Sequence, residues 1–161
     1  MSLKKNWRVW ASTSLLILLT PAGALAVGVP IHSQARVNQP ASPAVEFITV
    51  EELKAKLAGN ERVTIVDVRS TGSYTGSDDT IRGAIHVKLR RLKSRLAYPP
   101  LKNASRDVEL ITYCACPSDD SSVYAAHVFL AAGFKRVRVL KGGWQEWLKA
   151  GGQVEPRPKP S

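Results

Sequence analysis

Two hydrophobic periods take turns along the middle of this chain. Short runs of strand character, rich in Val, Ile, Thr, Tyr and Phe, fall at residues 46–48, 63–68, 84–87, 108–113 and 136–140. Helical spacing lies between most of them. Val50, Leu53 and Leu57 share one face of a helix that Gly59 ends, and Leu89, Leu92 and Leu96 share one side of residues 88–96. Residues 121–132 form a helix closed by Gly133, and residues 144–150 one ended by Gly151. Residues 70–76 are a turn or a short helix. Thr49 with Glu52 three residues on is a capping box, in which each side chain serves the other's backbone N–H. Strands separated by helices predict an α/β domain of parallel β-α-β units with right-handed crossovers. Residues 108–113 are apolar at most positions and are placed centrally, since a strand buried on both faces lacks polar alternation.

The ends differ in composition. Residues 1–8 carry Lys4, Lys5 and Arg8 without an acid, an apolar stretch follows, and Ala24-Leu25-Ala26 closes the segment. That order describes a secretory signal peptide over residues 1–26, cut after Ala26. The apolar stretch, broken by Pro21 and Gly23, is too short for a stable membrane span. The expected location is periplasmic or secreted. Residues 27–45, rich in Pro, Ser, Gln and Ala, are expected to be a flexible leader. Residues 46–151 hold the periodic pattern and form one domain. Residues 152–161, with Pro156, Pro158 and Pro160, are expected to fray.

The formal charge of +10 favours small anions or acidic surfaces without naming one. Lys88, Arg90, Arg91, Lys93 and Arg95 form a basic run, read as a solvated helix face. No aromatic residue interleaves with it, so no nucleic-acid partner is expected. The chemistry concentrates in the only two cysteines, Cys114 and Cys116, where the central strand stops and a helix begins. Unpaired N–H groups at a helix start carry partial positive charge, so they stabilise a thiolate or bind an anion beside it. Two cysteines one residue apart close no useful loop for stability, so their value is chemical. Nearby nitrogen ligands are too few for zinc, although a Cys-x-Cys pair permits Cu(I). No cofactor and no resident metal are expected.

In parallel α/β sheets ligands bind outside the carboxyl ends of the strands. Cys114, Asp67, Arg69 and the Gly142-Gly143 turn all fall at such ends. The segments Val66-Asp67-Val68-Arg69, Ile81-Arg82-Gly83-Ala84-Ile85-His86-Val87, Ile111-Thr112-Tyr113-Cys114, Ala132-Gly133-Phe134 and Gly142-Gly143-Trp144-Gln145-Glu146-Trp147 follow in order. In that order and spacing the chain resembles the rhodanese-like sulfurtransferase domain. The resemblance implies a five-stranded, mostly parallel sheet with helices on both faces. It also implies a cysteine that takes sulfane sulfur from a small sulfur-containing anion, holds it as a persulfide, and passes it to a thiol or similar acceptor.

The loop departs from the family pattern. Cys114-Ala-Cys-Pro-Ser-Asp-Asp-Ser-Ser122 has no Arg and carries Asp119 and Asp120, which are read as caps of the following helix. Counting forward along the strand places the family cysteine at Cys114; counting back from the helix places it at Cys116. The strand end favours Cys114, and Pro117 offers no N–H beside Cys116. Both stay candidates for the nucleophile. Ser118, Ser121 and Ser122 are candidate substrate-binding residues, with Arg69 and Arg82 as sources of the missing positive charge. Asp67 and His86 are candidate supporting residues. Three functions fit: sulfur transfer through a persulfide; a rhodanese-like module that no longer turns over and binds a protein partner; and a Cys-x-Cys thiol–disulfide couple.

Overall fold

The computed structural model describes residues 44–158. The expected signal segment and its cleavage site, and most of the leader, lie outside the described residues. Strands are β1 (Glu46–Ile48), β2 (Val63–Asp67), β3 (Asp79–Ile81), β4 (Ile85–His86), β5 (Glu109–Tyr113), β6 (Val137–Leu140) and β7 (Val154–Pro156). Helices are α1 (Val50–Ala58), α2 (Thr71–Thr75), α3 (Leu92–Arg95), α4 (Asp120–Ala131) and α5 (Gly143–Lys149).

The main sheet runs β1-β6-β5-β2-β4, and every neighbouring pair is parallel. The five strands are those expected from the sequence. β5 is central, and all five of its residues are buried. Alternate side chains enter opposite faces, as the pleat requires. On one face Leu110 and Cys114 pack with Val66, Val68, Leu92, Ala125 and Phe129; on the other Ile111 and Tyr113 pack with Ile65, Ile48, Leu53, Trp144 and Trp147. So α3 and α4 cover one face, and α1 and α5 the other. Burial of a large apolar side chain contributes roughly 1.5–3 kcal/mol, and these two layers hold the strand ends in place. The Thr49–Glu52 capping box forms at the start of α1.

Two expectations change, and one strand falls where none was expected. Residues 88–96 are not one helix but a 3-10 turn, Leu89–Arg91, followed by the short α3. The apolar side still packs, through the buried Leu92 and the half-buried Leu89 and Leu96. Of the expected tail, residues 152–158 are described, and they do not simply fray. Val154–Pro156 pairs antiparallel with β3. Trp147 donates its indole N–H to the Gln153 carbonyl at 3.1 Å, and the Arg157 N–H bonds the Asp78 carbonyl at 2.7 Å. Pro156 is tolerated because it ends an edge strand, where a missing N–H breaks no ladder. Lastly, β3 itself falls in a stretch with no strand-like alternation. Among the described residues no helix is long and apolar enough to cross a membrane.

Candidate functional site

The carboxyl ends of β2, β4 and β5 gather a buried polar cluster. Asp67 and Arg69 are 0% and 1% exposed, and their ion pair closes at 2.8 Å. Asp67 Oδ1 accepts the Arg69 backbone N–H at 2.9 Å; Oδ2 accepts Arg69 Nε–H and the Tyr113 hydroxyl, both at 2.9 Å. Thr80 Oγ1 stands 2.9 Å from the Tyr113 hydroxyl. The guanidinium also donates to the Asp79 carbonyl at 3.0 Å and lies 4.2 Å from the Trp144 ring centre. Burial works against the charge on Asp67, but His86 and Arg69 beside it outweigh burial and hold its carboxyl below the ordinary range. Burial, and then the Asp67 charge, push the Tyr113 phenol up, so it stays a protonated donor.

This cluster corrects the expected role of Arg69. Its guanidinium turns inward and is paired with Asp67 at 2.8 Å, although the side chain still lines the groove beside Ser121. Arg82 is corrected too. It lines a cavity of about 550 Å³ with Val63, Thr64 and Val108, at the amino ends of the strands and away from the loop. A side chain one residue past β3 follows that strand's direction, which the sequence pattern did not reveal. His86 stacks face to face on Tyr74, ring centres 3.6 Å apart, with Nδ1 at 3.8 Å from Asp67 Oδ1. It supports the cluster, as does Asp67.

The cysteine loop leaves β5 directly above this scaffold. Cys114 is 1% exposed and Cys116 is half-buried; their sulfurs are bonded to each other, with Cα atoms 5.7 Å apart. The Cys116 N–H points at Cys114 Sγ at 3.4 Å. Ser122 Oγ lies 3.5 Å from the same sulfur, and 2.8 Å from the Asp119 carbonyl to which it donates. Cys114 Sγ thus has one loop N–H and one hydroxyl beside it at the strand end. Ser122 is buried beside it. Ser121 is half-buried, and Ser118 is exposed and donates to Asp120.

Asp119 was read from sequence as a helix cap, and it does something else. It takes the N-cap place of α4 with φ +56° and makes no capping bond. Its Oδ2 instead accepts the Gly142 N–H at 2.9 Å, while Oδ1 is buried without a partner. Cys114 contributes a second tie, its carbonyl accepting the Trp144 N–H at 2.8 Å. The contact needs Gly143. Its φ is +48°, and a Cβ there would overlap the Cys114 carbonyl oxygen. Only the Gly-Gly dipeptide hints at this in the sequence; nothing local marks Asp119 as its partner.

A groove of about 400 Å³ runs along one side of the loop. Ser121 forms one wall, and Arg69, Ser70, Thr71, Lys88 and Arg90 form the others. Lys88 and Arg90 are exposed, in keeping with a solvated basic run, and they bring positive charge to this groove beside Ser121.

The family model described as Rhodanese-like domain matches residues 49–150. The chain belongs to the rhodanese-like domain family. None of the curated proteins matches it in sequence. Among solved structures, the Alr3790 protein from Anabaena sp. is 29% identical with a TM-score of 0.58, over 68% of this chain and 82% of that one. BH2092 from Bacillus halodurans is 29% identical, TM-score 0.58, over 69% and 77%. The human single-domain sulfurtransferase TSTD1 is 23% identical, TM-score 0.55, over 66% and 97%, and shares the fold. In this rhodanese-like domain, the sulfur at the end of β5, amide and hydroxyl donors near it, and a basic groove alongside suit attack on a small anionic electrophile.

Proposed function

We propose that the protein is an exported sulfurtransferase that carries sulfane sulfur as a persulfide on Cys114. The observation that carries this reading is the placement of Cys114 Sγ, at the carboxyl end of the central strand with the Cys116 N–H and the Ser122 hydroxyl beside it. In the reduced protein the thiolate attacks the outer sulfur of a donor such as thiosulfate. The S–S bond of the donor breaks, sulfite leaves, and the persulfide remains on Cys114. A thiol or cyanide then removes the outer sulfur. Lys88 and Arg90 draw the anionic donor along the groove, in place of the loop Arg that this chain lacks.

The bonded sulfurs favour a second reading, a thiol–disulfide couple. The acidic, Arg-less loop is what motivates a partner-binding module without turnover. One assay separates the three. Reduced protein is given thiosulfate and cyanide, and thiocyanate is measured. Turnover that vanishes in Cys114→Ser supports sulfur transfer. No thiocyanate from the wild type, with no sulfur gained by intact mass in any variant, sinks it. Export has its own check: terminal sequencing of protein recovered outside the cytoplasm should begin at Val27, and an intact Met1 there refutes cleavage.

A further inference from the structure

We propose that Cys116 is a built-in resolving thiol for the persulfide on Cys114, so that the protein converts a sulfane-sulfur donor into sulfide and ends each cycle as the Cys114–Cys116 disulfide. This rests on the sulfur-transfer reading above and gives the second cysteine its part in the same site.

Three features lead there. The sulfurs bond across a single residue with Cα atoms 5.7 Å apart, inside the usual range for a disulfide, so no backbone movement is needed to bring them together. Cys114 is 1% exposed while Cys116 is half-buried, so an outside thiol has poor access to the sulfur that its loop neighbour already touches. An intramolecular thiol then outcompetes one from solution, because its encounter cost is already met. Lastly, the Ser122 hydroxyl beside Cys114 Sγ donates its hydrogen to the Asp119 carbonyl at 2.8 Å, which leaves the Cys116 N–H, at 3.4 Å, as the donor to the sulfur. One committed donor does not prevent sulfur loading, but it leaves the outer sulfur freer to move on.

The chemistry closes. Thiosulfate gives Cys114–S–SH and sulfite. The Cys116 thiolate then attacks Cys114 Sγ; the Sγ–Sγ bond forms, the bond to the outer sulfur breaks, and hydrosulfide leaves with the electron pair. The two cysteine thiols are oxidised by two electrons in all, and the outer sulfur is reduced by two. Both thiol protons end on sulfide or in solvent. Renewal needs a dithiol reductant, which enters at the more exposed Cys116 sulfur, expels the Cys114 thiolate, and leaves as its own disulfide. The implied partner is therefore a reduced dithiol protein.

The test uses the full-length protein, reduced, freed of reductant and kept without oxygen, then given thiosulfate and no other thiol. The expected result for the wild type is about one sulfide per chain with protein lighter by two hydrogens. Cys116→Ser and Cys116→Ala should gain one sulfur by intact mass and release no sulfide; Cys114→Ser should do neither. A wild type that accumulates the persulfide and releases no sulfide overturns the inference while the sulfur-transfer reading stands. Sulfide from the Cys116 variants at the wild-type rate also overturns it. If neither wild type nor Cys116 variants take up sulfur or release sulfide, sulfur transfer itself fails.

Discussion

Two buried carboxylates stand at the same edge of the sheet, and the chain treats them differently. Asp67 is paired with Arg69, bonded by Tyr113, and backed by His86. Asp119 has one backbone N–H, from Gly142, and an oxygen with no partner; no cation of the described residues pairs with it. A buried charge without a counter-ion is tolerated only where something else requires it. For Asp67 the surroundings make a rigid floor beneath the loop. For Asp119 they make a tie that holds the cysteine loop against the β6–α5 turn, at some cost in stability. The floor sets where the strand ends, and the tie sets how the loop leaves it.

The largest effect expected is at the floor. Asp67→Asn leaves the Arg69 guanidinium buried without a counter-ion and should lower stability by about 3–5 kcal/mol in urea unfolding. Loss under about 1 kcal/mol would put both carboxylates in one class. The same pair gives a pH signature. Because the folded-state value for Asp67 is depressed, its contribution is complete above the unfolded carboxylate range and falls away as pH drops through the folded value. Unfolding midpoints should therefore drop at acid pH in the wild type, and drop less in Asp67→Asn.

Next comes the turn that the tie grips. Gly143→Ala meets both the positive φ and the Cys114 carbonyl, and should cost about 2–4 kcal/mol with loss of sulfur loading. A smaller loss with full loading would mean that the turn yields freely and does not position the loop.

The tie itself is weaker. Asp119→Ala removes the acceptor of the Gly142 N–H and should cost about 1–2 kcal/mol. Asp119→Asn keeps an acceptor, relieves the unpaired charge, and should be neutral or stabilising by thermal melt. A loss for Asn as large as for Ala would show that the charge, not the bond, holds the loop. Among the truncations to alanine, the smallest effect is expected of Ser122→Ala. It removes one hydroxyl near Cys114 Sγ and should cost about 1 kcal/mol, with loading slowed several-fold in stopped-time mass spectra.

Much of the fold was legible because its signals are local. The five sheet strands stand out by period and residue type. The Thr49 capping box is complete within four residues, and the apolar run before Cys114 marks the central strand. The site was legible as far as the convergence of Asp67, Cys114 and the Gly-Gly turn, since strand order carries those to one edge. Arg69 and Arg82 were misplaced for one reason: an arginine side chain is long enough to serve either of two neighbours, and which one depends on partners distant in sequence. Asp79 and Trp144 claim Arg69. β7 escaped notice because its partner β3 lies some seventy residues upstream and neither strand alternates.

By itself the sequence determined what is written in short-range pattern: an α/β chain, parallel crossovers, a thiol at a strand end, a basic segment after β4, and a leader-like start. Tertiary structure decided what depends on which charges are desolvated together. It turned Arg69 inward, drew Asp119 away from its helix to the Gly142 N–H, set Lys88 and Arg90 along the groove beside Ser121, and set one cysteine under cover with the other at its mouth. Periodicity survives in a linear text because each residue's neighbours repeat. The partner of a buried charge does not repeat, and it is found only when the sheet brings separate strand ends within hydrogen-bonding distance.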